Sequence, residues 1–229
     1  MTTTSTDLWH HYGRTRAATD HAVPETFSWS WSQDGGPGAE VLGDLTGLFV
    51  GDLGAGSARH AAHLVARHQP ARVVAVDASA AQHAMATGLY SDLAPRLHLV
   101  HADVLEHLRA MHGSYDVLYS VFGAVDFTDP RDLLPAAGAA LRPGGRLVFS
   151  TLAHYLNGEP AETDVVHADI LAKTPDGSPT TMRRWVLQEH LWAKLLDVAG
   201  LSDITVDVLP APGGRQRTAD TLLVTASRK

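Results

Sequence analysis

Cysteine is absent from the 229 residues. That excludes disulfides, thiolate metal centres and a cysteine nucleophile together, and it suits a reducing compartment. Positive charge is in short supply: 18 Lys and Arg face 25 Asp and Glu, for a net charge of −7. Such a surface repels a phosphate backbone, so a nucleic-acid partner would need a local basic patch. The densest basic runs, Arg14/Arg16 and Arg183/Arg184, are too short to form one. No apolar run approaches the ~20 residues that span a bilayer. The opening MTTTSTDLWHHYG has neither the basic nor the apolar segment of a signal peptide. The expectation is a soluble, cytoplasmic protein with no nucleic-acid or membrane partner.

What is present fits one α/β domain over residues 1–229, with 45% hydrophobic residues to build its core. Fourteen histidines invite a metal hypothesis, and His60 and His63 have the best spacing, on one face of an expected helix. No acid or third histidine lies within the next turn and HExxH is missing, so partly exposed histidines and no metal are expected.

From residue 48 onward, strand and helix patterns alternate. Strands are expected at 48–52, 72–77, 97–100, 115–120 and 146–151. Helices are expected at 58–69, from 80 toward 89 with Ser79 as cap, at 104–111 and at 130–141. Pro143-Gly144-Gly145 reads as a tight turn before the fifth strand. Strands separated this way form βαβ units and a parallel sheet covered on both faces. The last third differs: an amphipathic helix at 188–199 stopped by Gly200, then strands at 203–209 and 221–227 joined by PAPGG. With no helix between them they pair antiparallel. The fold class is therefore a doubly wound, Rossmann-like, mostly parallel seven-stranded sheet closed by an antiparallel C-terminal hairpin. Residues 1–47 hold a short helix at 8–18 and the loop FSWSWSQDGGPG; residues 152–187 form a polar insertion.

The stretch VGDLGAGSARH resembles a nucleotide-binding turn short of a glycine. The third glycine falls on Arg59 in the GxGxxG spacing and on Ala58 in GxGxG. The turn lets backbone approach a ligand, and Asp77 at the end of the second strand is placed to accept from ribose hydroxyls. To that point NAD and S-adenosylmethionine fit equally. A pyrophosphate sits on the helix N-terminus and wants the third glycine for close packing. S-adenosylmethionine carries no phosphate and needs backbone room plus an acceptor for its ammonium, for which Asp52 is placed.

The ordered set DLGAG (52–56), VVAVDAS (73–79), HADV (101–104), YDVLYSVFGAVDF (115–127) and LRPGGRLVFST (141–151) resembles the class I S-adenosylmethionine-dependent methyltransferases, over 48 to the C-terminus. The chain looks most similar to compact bacterial enzymes that methylate secondary metabolites on oxygen or nitrogen. The resemblance implies S-adenosylmethionine as cofactor, Gly54 and Gly56 in its turn, and Asp77 with Ala78 at its ribose. It implies Asp103 at the adenine amino group with Val104 beside it, the Ser120 backbone after the fourth strand at the methionine moiety, and Tyr12 folded over its carboxylate.

Methyl transfer needs an aligned nucleophile and exclusion of water, with a base only for a hydroxyl acceptor. His154, after the fifth strand, is the candidate base. Tyr155, Phe122, Trp29, Trp31 and Trp185 are candidate walls of the acceptor pocket. No NPPY or DPPY run follows the fourth strand, and Asp126/Asp129 is the sole nearby acid pair for a magnesium-dependent mechanism. A small organic acceptor remains. Two rivals stay open: an NAD dehydrogenase, and a cofactor-binding module that transfers no methyl group.

Overall fold

The computed structural model describes residues 7–14, 22–212 and 218–229. Along the chain run β1 (Phe49–Leu53), α1 (Arg59–Arg67), β2 (Arg72–Asp77), α2 (Ala80–Tyr90), β3 (Leu97–His101), α3 (Val104–Ala110) and β4 (Tyr115–Val121). They are followed by α4 (Ala124–Phe127), α5 (Pro130–Ala140), β5 (Leu141–Leu152), β6 (Ala168–Lys173), β7 (Pro179–Arg184), α6 (Glu189–Val198), β8 (Leu201–Leu209) and β9 (Thr221–Arg228). Seven strands form one sheet in the order β3-β2-β1-β4-β5-β9-β8. The first five are parallel, while β9 runs antiparallel between β5 and β8. The chain reverses its direction of travel between β1 and β4, which opens a crevice at their C-terminal ends.

Alternation along each strand builds a core on both faces. Val74, Val76, Leu118, Leu147 and Phe149 face α3, α5 and α6, with Leu108, Leu133 and Trp192 among the side chains that meet them. Val73, Ala75, Val117, Tyr119 and Val148 face α1, α2 and the loop residues Phe27 and Trp29. The caps follow the sequence: the Ser79 side chain accepts from Gln82 N, and Asp103 and Asp129 cap the helices that follow them.

Several expectations need correction. Residues 8–13 make successive turns, with the Asp7 carboxylate bonded to Ser79 and Ala81 and the Trp9 and Tyr12 carbonyls to Gln82; of the expected helix at 8–18, Arg14 is helical and residues 15–18 lie outside the described residues. Strand β5 begins at Leu141, not 146. Pro143-Gly144-Gly145 sits inside it as an irregularity opposite Asp116, whose carboxylate holds Arg142 at 2.7 Å and accepts from Phe49 N at 2.8 Å. The polar insertion contains a two-stranded hairpin, β6–β7. His63 is buried, with Nδ1 2.8 Å from Pro24 O, and so pins the N-terminal loop. Gly213 and Gly214 of the last connection lie outside the described residues.

Helix α6 is fixed chiefly by Trp192, fully buried with its ring 5.2 Å from Phe149. Trp192→Ala should cost about 3–5 kcal/mol in urea unfolding. Leu171→Ala, at a side chain 88% exposed on β6, should stay within about 0.5 kcal/mol of the parent.

Candidate active site

The turn after β1 crosses the loop after β4 at backbone contact. Gly54 has φ +76°, and a Cβ there would lie 2.2 Å from Ala124 N; one on Gly123 would lie 2.6 Å from Leu53 O. Only glycine lets the two segments meet. From below, the Ser120 hydroxyl donates to Leu53 O at 2.7 Å. Ser120 therefore lies inside β4 rather than after it, and its side chain bolts the turn in place. Phe122, the second residue on, has φ +47°, a strained value for a bulky side chain and a mark of functional sites.

Three carboxyls gather at this turn. Asp77 accepts from Gly56 N at 2.7 Å and Ser79 N at 2.8 Å, with Ala78 exposed between them and its carbonyl 3.1 Å from His101 Nε2. Burial raises the Asp77 pKa, the two backbone donors oppose the rise, and the Asp7 charge adds to it. Asp52, 3% exposed, accepts from the Tyr119 hydroxyl at 2.8 Å. Burial pushes its carboxyl up to about 7, against the Tyr119 bond and with help from Asp77. Asp7 accepts from Ser79 Oγ at 2.9 Å and Ala81 N at 3.1 Å. Asp103 uses Oδ1 to cap α3 through Leu105 N and Glu106 N, while Val104 packs into the core.

The N-terminal segment lies over this turn. Gln82 Nε2 donates to Trp9 O at 3.1 Å and Tyr12 O at 2.8 Å. Tyr12 thus engages the site through its carbonyl; its ring is 62% exposed and packs edge-on against Trp9. Trp9 reaches Phe127 at 4.6 Å between ring centroids.

On the other side of β4, Trp31, Phe122, Tyr155 and Leu156 pack around Leu152, Ala161, Val186 and Ala219. The structure brings Trp31, Phe122 and Tyr155 together and leaves two expected wall residues out. Trp29 is fully buried in the α1-side core with Nε1 donating to Gly38 O at 2.8 Å, and Trp185 is buried in the opposite core. Alternation sends Phe27 and Trp29 one way while Trp31 turns to the cluster.

His154 is not placed to act as a base. Asp220 N–H donates to its Nε2 at 3.2 Å, so Nδ1 carries the proton and donates to Tyr155 O at 3.0 Å. Both ring nitrogens are spent on backbone. Asp126 and Asp129 form no metal-binding pair either. Asp129 is bound to Arg131, and Asp126 is fully buried against Arg184, with Oδ2 2.5 Å from Nη2. Among the described residues no group of three or more His, Asp or Glu is arranged to hold a metal.

Sequence reasoning missed Asp7, Trp9, Phe127, Glu162 and the Asp126–Arg184 pair. The Arg184 guanidinium lies 5.3 Å from the centroids of both Trp31 and Phe127. Burial pushes the Asp126 carboxyl upward and Arg184 opposes the shift. Residues 58 positions apart give no local signal of such a pair.

A methyltransferase-domain family model matches residues 50–145. The ubiquinone biosynthesis O-methyltransferase of Escherichia coli O6:H1 is 28% identical over 190 residues, 76% of this chain and 75% of that protein. An S-adenosylmethionine-dependent methyltransferase from Mesorhizobium loti superposes with a TM-score of 0.58 at 22% identity, covering 82% of this chain and 94% of its own. A Burkholderia thailandensis 1,6-didemethyltoxoflavin-N1-methyltransferase, solved with bound 1,6-didemethyltoxoflavin and S-adenosylhomocysteine, has a TM-score of 0.56 at 22% identity, covering 80% of this chain and 72% of its own. No helix among the described residues is long and apolar enough to cross a membrane.

Removing one member of a buried ion pair strands the other. Asp126→Ala should therefore lower stability by about 3–5 kcal/mol in denaturant titration, far more than Asp129→Ala, whose partner Arg131 is 61% exposed.

Proposed function

Residues 50–145 match a methyltransferase-domain family, and from that premise we propose that the chain is a class I S-adenosylmethionine-dependent methyltransferase acting on an oxygen or nitrogen of a small organic molecule. The observation that carries the cofactor placement is the crowding of carboxyls around a glycine turn, where the Asp77 charge acts on Asp52 and the Asp7 charge on Asp77. A cation relieves that repulsion, whereas a pyrophosphate would add to it. S-adenosylmethionine brings an ammonium and a sulfonium; when bound it supplies an activated methyl group. Asp77 and Ala78 would hold its ribose, the free Oδ2 of Asp103 and the Val104 backbone its adenine, and Gly54, Gly56 and Ser120 the floor beneath its methionine portion. Tyr12 and Trp9 close over it. The aromatic cluster of Trp31, Phe122 and Tyr155 is suited to a flat, largely apolar acceptor and excludes water from it. A small organic acceptor also suits an acidic chain. The named ubiquinone enzyme extends the acceptor range beyond secondary metabolites.

Calorimetric titration tests the cofactor half. S-adenosylmethionine and S-adenosylhomocysteine should bind in the micromolar range and NAD should not; Asp77→Ala should weaken both by at least about 30-fold through loss of a charged hydrogen-bond acceptor. Turnover to the homocysteine product with an acceptor separates an enzyme from a binding module.

The raised pKa of Asp52 gives a second test. Between its ordinary 3.8 and about 7 the folded protein holds a proton that the unfolded chain releases. Asp52 therefore lowers stability as pH rises through that window. An incoming ammonium reverses the preference and favours the carboxylate. Binding at pH 6 should release a proton, seen as a dependence of the calorimetric heat on buffer ionisation enthalpy. The dependence should be lost in Asp52→Asn.

A further inference from the structure

The Tyr155 hydroxyl donates to Glu162 Oε1 at 2.9 Å. Tyr155 stands three residues past β5, in the cluster that holds Trp31 and the strained Phe122. Main-chain bonds already fix both ends of this pair. Tyr155 N donates to Glu159 O at 2.9 Å, Glu162 N to Val186 O at 2.8 Å, and Gln188 N to Glu162 O at 3.1 Å. The loop is thus closed without the side-chain bond, and a carboxylate has been brought to an aromatic wall where packing alone needs none. The neighbouring His154 is occupied at both nitrogens and does not compete for a proton.

We propose that Tyr155 and Glu162 form a proton relay for a hydroxyl acceptor, which makes the substrate a flat molecule bearing an acidic hydroxyl, a phenol or an enol. The inference rests on the methyltransferase reading above and deepens it: a neutral amine needs no base, whereas a hydroxyl gains from one. The acceptor O–H proton passes to Tyr155 Oη as the phenolic proton passes to Glu162 Oε1. The acceptor oxygen then forms its bond to the methyl carbon, and the electron pair of the broken carbon–sulfur bond stays on sulfur, leaving a neutral thioether. The proton remains on Glu162 until solvent takes it. Burial and the nearby Glu162 and Glu159 charges raise the Tyr155 pKa, with Arg184 opposing them. The phenol therefore stays protonated at rest and hands on a proton instead of storing a negative charge.

The test uses 4-nitrocatechol as probe with S-adenosylhomocysteine present, so that no methyl transfer occurs and the phenolate absorbance reads proton removal directly. Wild-type protein should bind part of the probe as a phenolate paired with protonated Glu162, seen as phenolate absorbance at a pH where the free probe is neutral. Glu162→Gln keeps an oxygen to accept from Tyr155 and so preserves any clamp. It should still bind the probe within about threefold by tryptophan quenching, but as the neutral phenol, as should Tyr155→Phe. The same phenolate absorbance in Glu162→Gln would overturn the relay and leave the pair a clamp. Failure of the wild type to bind the probe, with S-adenosylhomocysteine still binding calorimetrically, would overturn the hydroxyl acceptor class. Failure to bind S-adenosylhomocysteine itself would remove the methyltransferase reading on which the relay rests.

Discussion

The contact on which the rest depends is backbone against backbone, where the Gly54 turn meets the Gly123 loop with no room for a Cβ on either. Both strands that feed this contact lie at the switch point of the sheet. Because the two segments touch, the start of α1, the direction of Phe122 and the position of α4 are all determined together. Ser120 locks the same contact from within β4. The strain at Phe122, of order 1–3 kcal/mol, persists because every neighbouring atom is held by that junction. Its ring is thereby sent sideways into the acceptor cluster.

Charge is handled differently on the two sides of the junction. Toward α2, burial raises the Asp52 and Asp77 carboxyls, with the Asp77 charge adding to the rise at Asp52 and the Asp7 charge to that at Asp77. Toward the insertion, Asp126 and Arg184 neutralise each other in a dry setting between two rings. The first arrangement gathers charge of one sign, while the second is mechanical. The end of β7 is tied to α4 through this pair and through Trp185 N donating to Asp126 O at 2.8 Å. Trp9 edge-on against Phe127, Phe127 on Arg184 and Arg184 on Trp31 form a continuous path of contacts. Through it the segment over the glycine turn and the aromatic cluster of Trp31 share one anchor.

This division explains what was legible in the sequence. The parallel strands, their helices and the terminal hairpin were readable because each unit is local: Ser79, Asp103 and Asp129 cap the helix that begins at the next residue, and alternation in RVVAVD or YDVLYS reports both sheet faces. Asp77 was readable for the same reason, as a strand-end acid 21 residues from the Gly56 amide it accepts. The acceptor side draws on positions 31, 122, 126, 155, 162 and 184, joined only by the fold. There, sequence reasoning chose Trp29 and Trp185 for their size, although backbone direction turns both into cores and leaves Trp31 and Arg184 facing the cluster. It chose His154 for its chemistry, although the Asp220 amide and the Tyr155 carbonyl consume both nitrogens. The bulge at Pro143–Gly145 was hidden because Asp116 and Arg142, not the turn residues, decide where β5 starts.

The missing glycine of the turn separates two reasons for glycine that a motif merges. Ala58, at the N-cap of α1, has φ +58°, so the third position does take the left-handed conformation that glycine favours. That conformation costs an L-residue about 1–2 kcal/mol. The Ala58 methyl is 99% removed from solvent among the α1-side core residues, and burying one such group returns about 0.8 kcal/mol. The balance is small, so alanine is tolerated where only φ is at stake. At Gly54 the same methyl would lie 2.2 Å from a backbone nitrogen, a clash that no burial offsets. The turn can therefore lose its third glycine and keep its backbone conformation, but not its first.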